Sequence, residues 1–276
     1  MRAPLLLIGA ASSSALVACV GAAPDPVGSD PTSSTATAIV VVERTAGPGD
    51  AVRGDAVIAR FIRVRQGAVD DPALRIAGVA EDIPAPGACF APSESTPIIQ
   101  GRAVELLDVG QVVLAGDNSK STVLLPRSMP DPAGVVSGVF YSSRTSDVFA
   151  PGSRVSLRSS GGADLLDGFS VSVTAPRDVG DVNVTSVASG LEVSWDATDA
   201  AEHDLVYVDI LSPAPRVVMR CTSADDGNLL VPQSAIAGID EGQLAVHRLH
   251  KESFKAKGIE PGEVRFDVAR VVTFRR

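Results

Sequence analysis

Residues 191–197 read LEVSWDA and residues 204–210 read DLVYVDI. In the first stretch Leu191, Val193 and Trp195 fall on one side, and Glu192, Ser194 and Asp196 on the other. That two-residue period is the signature of a half-buried strand. In the second, Val206, Val208 and Ile210 share a face. Working outward, VVMRC (217–221) and LLVP (229–232) flank Asp225-Asp226-Gly227-Asn228, and Asp-Gly between apolar runs predicts a hairpin. A helical turn is expected at Ser234–Ile239. QLAVHRL (243–249) and EVRFDVARVVTF (263–274) then read as strands joined by a charged loop from His250 to Gly262.

Upstream the same grammar recurs. IVVVER opens ordered sequence at Ile39, and Gly47-Pro48-Gly49-Asp50 turns the chain. VIARFIRVR (57–65) reads as a strand with a bulge, with Phe61, Arg63 and Arg65 on a solvated side. Residues 66–101 are rich in Pro, Gly and Asp. VELLDVGQVVLAG (104–116) gives two short strands or one bent around Asp108-Val109-Gly110, a triplet echoed by Asp178-Val179-Gly180. STVLLPR, GVVSGVFYSS, SRVSLRSS and DGFSVSVTAP follow, each bounded by turn residues. Many short alternating runs predict an all-β fold of two antiparallel β-sandwich-like domains, 39–175 and 176–276, divided at Pro176.

Residues 176–276 resemble a fibronectin type III or related immunoglobulin-like domain. The residues that carry the resemblance are the leading Pro176, LEVSWDA with its early-strand Trp195, and DLVYVDI after it. The late strand QLAVHRL lacks the tyrosine that family places there. The resemblance implies a sandwich whose edge strands and end loops serve as contact surfaces.

The other end of the chain carries a second resemblance. Arg2 precedes an uncharged apolar stretch, Ala3–Ala18, with small residues in its middle, which is the layout of a secretory signal. Leu16-Val17-Ala18-Cys19 resembles the lipobox of bacterial lipoproteins. It implies a signal peptide at 1–18, removal after Ala18, and lipidation of Cys19; two or three acyl chains give durable attachment where one is marginal. Val20 in place of Asp favours the outer membrane, with the cell envelope as the compartment. The competing reading is an ordinary secreted protein cut beyond Cys19. Residues 19–38 are dominated by Pro, Gly, Ser and Thr and read as a flexible tether.

Composition sets outer bounds. The 45% hydrophobic content supports packed cores. A net charge of −9 argues against a nucleic-acid partner, because phosphate binding needs a basic footprint. The expected partners are the membrane through the lipid anchor, and envelope proteins or polysaccharide. With Cys19 lipidated, Cys89 and Cys221 remain as either a disulfide or two separately buried thiols.

The sequence offers little chemistry. His247 and His250 fall on opposite faces of a strand and read as solvated loop-edge residues, not a metal pair. His203 sits in a polar loop, and no G-x-S-x-G elbow accompanies the many serines. Asp196, Asp199, Glu202 and Asp204 form an acidic loop of hard oxygen donors, the weak candidate for Ca²⁺, against a plain solvated turn. Arg53-Gly54-Asp55 reads as a turn, and Lys251–Lys257 as a soluble hairpin loop. No catalytic residue, cofactor or other metal site is assigned. The expected role is a non-enzymatic structural or binding module. The alternative is an accessory or catalytic module on polysaccharide or peptidoglycan, which requires paired carboxylates in a cleft.

Overall fold

The computed structural model describes residues 36–47, 52–64, 74–75, 77–78, 82–92, 104–117, 120–129, 136–145, 149–198, 200–201, 204–211 and 216–276. Residues 34–276 form one compact unit. The fold is all-β. Its first nine strands are β1 (Ala36–Ala46), β2 (Val52–Val64), β3 (Cys89–Phe90), β4 (Val104–Leu106), β5 (Val112–Gly116), β6 (Ser121–Ser128), β7 (Val136–Thr145), β8 (Arg154–Ser159) and β9 (Phe169–Thr174). The remaining strands are β10 (Asn183–Val187), β11 (Gly190–Ser194), β12 (Leu205–Leu211), β13 (Val217–Ala224), β14 (Asn228–Pro232), β15 (Glu241–Ala256) and β16 (Ile259–Arg275). A 3-10 turn, Gln233–Ile236, follows β14.

Thirteen strands hydrogen-bond in the order β3-β13-β12-β15-β16-β1-β2-β4-β7-β6-β5-β8-β9, and β10-β11-β14 form a separate sheet. Among the described residues β1–β16 and β4–β7 pair in parallel, and the other pairings are antiparallel. The long sheet folds over at β6. Val112 pairs with Leu124, but the next residue, Leu125, has already moved to Ser142 of β7. A strand that changes partners midway makes a corner between two layers.

That corner lets β5, β8 and β9 lie against β15, β16, β1, β2 and β7. Val40, Val42, Phe61, Leu114, Leu157, Phe169 and Phe266 meet in the first core, where the Phe61 and Phe169 ring centroids are 5.7 Å apart. The second core lies between β10-β11-β14 and β13-β12-β15-β16: Leu191, Val193 and Trp195 face Val206, Val208 and Ile210, as their alternation requires. Burying each such side chain contributes about 1.5–3 kcal/mol.

β15 and β16 serve both cores. Near the hairpin tip Phe254, Ile259, Val264 and Phe266 belong to the first; near its base Leu244, Val246 and Phe274 belong to the second. The charged stretch from His250 to Gly262 is therefore not a loop. It continues both strands, and only Lys257 and Gly258 turn. Phe254 is buried between the half-buried Glu252 and Ala256, alternating with exposed Lys251, Ser253 and Lys255, and Ile259 is buried after the turn; the lysines and glutamates mask that period-two signal. Phe61 also departs from expectation: it is fully buried with Val57 and Ala59, while the other side of β2 packs Ile62 against Ala77, Val104, Leu106 and Val136. Both faces of β2 are covered, so polarity alone could not tell them apart. Ala36, Thr37 and Ala38, read as tether in the sequence, belong to β1.

Between the two cores the strands carry charge. Arg248 and Arg44 both lie opposite Val268, aligned across β15, β16 and β1. Arg44 is buried with Asp55, its Nε 3.2 Å from the carboxylate, and its guanidinium lies 4.0 Å over the Phe149 ring. Arg53-Gly54-Asp55 is thus part of β2 and not a turn, and Asp55 is committed to Arg44. The DVG echo acquires a structural meaning here. Val109 and Val179 are both buried, and Gly110 and Gly180 both take left-handed backbone, at φ +77° and +73°, where a side chain is strained.

Candidate functional site

β15 carries two of the histidines singled out in the sequence, each within a group of polar side chains. Tyr207 on β12 lies opposite His247 on β15, and the two rings stack 4.3 Å apart. The Tyr207 hydroxyl donates to Asp267 Oδ2 at 2.5 Å, while His247 Nδ1 meets Asp267 Oδ1 at 2.8 Å. His247 Nε2 faces Asp209 Oδ2 at 3.8 Å. Arg220 on β13 closes the row with two 2.7 Å bonds to Asp209. Four neighbouring strands are thus crossed by an unbroken line of alternating charge.

The electrostatics follow from that line. Burial alone would push the His247 imidazole down, but the charge and hydrogen bond of Asp267, with Asp209 behind them, hold its pKa above the ordinary value. Burial would raise Asp267, and His247 outweighs it, so the carboxyl sits below its usual range. Tyr207 is driven well above an ordinary phenol, first by burial and then by Asp267.

His250 repeats the pattern on the other face of β15, with Nδ1 at 2.5 Å from Asp204 and Nε2 at 3.5 Å from Glu252. Its hydrogen bond to Asp204 raises its pKa, against the effect of burial. Neither histidine is the solvated loop-edge residue expected from the sequence. Each imidazole has a carboxylate near both ring nitrogens, and those carboxylates hold its pKa above the ordinary value against the effect of burial.

The remaining sequence candidates disperse. Asp196 accepts from the Thr198 N–H, and Asp204 accepts from the Ala201 N–H and binds His250. These are turn and ion-pair roles, and no group of metal-holding side chains occurs among the described residues. Asp199, Glu202, His203 and Cys19 lie outside the described residues. Cys89 and Cys221 are directly opposite on β3 and β13 and are joined as a disulfide, with Cα atoms 4.0 Å apart. Asp225 is more than a turn residue: it accepts from Trp195 Nε1 at 2.6 Å and pairs with the buried Arg248. No sequence signal distinguishes it from Asp226 beside it.

A concave surface lies elsewhere, at the β6 corner. Where β6 leaves β5 for β7 it opens a trough of about 470 Å³. Val123, Leu125, Pro126 and Val139 form apolar walls, and Asp108, Gln111 and Tyr141 line it with polar atoms. Tyr141 donates to Asp108 Oδ1 and accepts from the Val109 N–H, both at 2.9 Å. Its phenol is pushed up to about 12, chiefly by burial. Gly110 permits this close packing, since a Cβ there would lie 1.9 Å from the Gly161 carbonyl oxygen. Val123 and Leu125 remain 45% and 55% exposed. Leu166, 84% exposed, belongs to the loop whose Gly161 touches Gly110. No motif announces the trough, because it arises from a change of strand partner. No protein-family model and no curated protein matches the chain.

Proposed function

We infer that the chain is a lipid-anchored protein of the bacterial cell envelope, tethered through Cys19 at the outer membrane, whose body is a non-enzymatic binding module. The observation that carries the binding reading is the strand order of residues 176–276. Four strands, β13-β12-β15-β16, face three, β10-β11-β14. That is the arrangement of fibronectin type III-like sandwiches, a scaffold whose end loops and edge strands are available as contact surfaces. The open trough at the β6 corner adds a contact surface in the first half of the body.

The anchor is supported by the lipobox Leu16-Val17-Ala18-Cys19 alone. Mass spectrometry of the mature N-terminus tests it. The expected species begins at Cys19 and carries a diacylglyceryl group and an N-acyl chain; an unmodified N-terminus beyond Cys19 overturns the anchored reading.

A further inference from the structure

Asp108 stands among aliphatic side chains and has no cation as partner among the described residues. Its Oδ1 accepts the Tyr141 hydroxyl and the Gly110 N–H, and none of the ion pairs formed by the described residues includes it. The surrounding charge is of the same sign. Asp164 accepts the Asp108 backbone N–H, and Glu105 is near in sequence. The neighbouring cation, Arg63, is taken up by Glu105 at 3.7 Å and by the Asp164 carbonyl. Arg127 follows Pro126 on β6 but does not line the trough.

An apolar trough lined by a carboxylate with no cation among the described residues matches one kind of side chain. Lysine and arginine carry a methylene stem that lies against apolar walls and a charged head that seeks an anion. A purely aliphatic group would fill the walls and leave Asp108 without a counter-ion; an acidic one would be repelled. The exposed Leu125 and Val123 of the trough supply further apolar surface for the residues flanking such a side chain.

We propose that the trough at the β6 corner is a docking site for a lysine or arginine side chain of a partner polypeptide, its stem between Val123, Leu125 and Val139 and its charge at Asp108. This rests on the reading of the body as a binding module and names the chemistry of what is bound. The test is a titration of the isotopically labelled mature protein with four blocked amino acids: the Nα-acetyl N-methylamides of lysine, arginine, norleucine and glutamate. Backbone amide signals of Gln111, Val123 and Leu125 are expected to move with lysine and arginine, about five-fold more tightly than with norleucine, and not with glutamate.

Asp108→Asn keeps the acceptor for Tyr141 and Gly110 and removes only the charge, so it is expected to fold and to lose the preference over norleucine. Leu125→Ser, at an exposed position, is expected to weaken all apolar stems. Equal binding of norleucine and lysine, an undiminished preference in Asp108→Asn, or no response to any of the four overturns the proposal. Equal binding leaves the trough an apolar binding surface, so the module reading survives that failure. Silence with all four removes the trough from both.

Discussion

Arg248 and Asp225 face one another with both side chains 2% exposed. The guanidinium also donates to the carbonyls of Arg177, Asp178 and Asp196, and Trp195 donates to the same carboxylate. Truncating one partner strands a buried charge, which costs about 3–5 kcal/mol. Asp225→Ala and Arg248→Ala are each expected to lose that much in urea unfolding. The double variant should lose less than the sum, because it leaves no unpaired charge. Additive losses would show that the two side chains do not interact.

The charged row across β13, β12, β15 and β16 makes stability depend on pH at both ends. His247 is raised in the folded state. Its contribution is full below the unfolded value of about 6.5 and disappears as pH rises through the folded value. Asp267 is lowered, so its contribution holds above the ordinary carboxylate value and disappears as pH falls through the folded one. Melting temperature against pH should fall on both flanks. His247→Asn should flatten the alkaline flank, and an unchanged flank would exclude His247 as its source.

The chain contains two tyrosines, and both are driven upward, Tyr141 to about 12 and Tyr207 well above 10.0. Absorbance at the tyrosinate band is therefore expected to stay flat in the folded protein through the range where an ordinary phenol ionises, about pH 10. In denaturant the ordinary titration should return. A folded-state transition near 10 would mean that at least one hydroxyl is not held as described.

The disulfide joins residues 132 apart in sequence, so it removes much of the freedom of the unfolded chain. Reduction, or the paired change Cys89→Ser with Cys221→Ser, is expected to cost about 2–5 kcal/mol. Thermal unfolding with and without reductant reads this directly. Because β3 is two residues long and, among the described residues, pairs with Arg220 and Cys221, amide exchange at Cys89 and Phe90 should accelerate first.

How much of this was legible beforehand varied along the chain. Leu191, Val193, Trp195, Val206, Val208 and Ile210 alternate cleanly because one face is core and the other is polar, and each was placed correctly. Phe61 was not, because β2 is covered on both sides and a period-two pattern carries no information there. The hairpin tip was misread since surface lysines and glutamates outnumber the two buried residues between them. Asp225, Asp209 and Asp267 look like any other acidic residue in sequence; their roles come from which strands lie side by side. The trough follows from a register event at Leu124 and Leu125 that no local pattern announces.

β1 and β16 run side by side in the same direction, from Ala36 opposite Ile259 to Ala46 opposite Arg270. Tension applied to the chain before Ala36 and after Arg275 would drag these strands past each other along their length. Every bond of that ladder would then bear load at once, instead of opening one by one as in a peeled hairpin. Pulled by its ends, the protein should resist like a lap joint and give way in a single abrupt step.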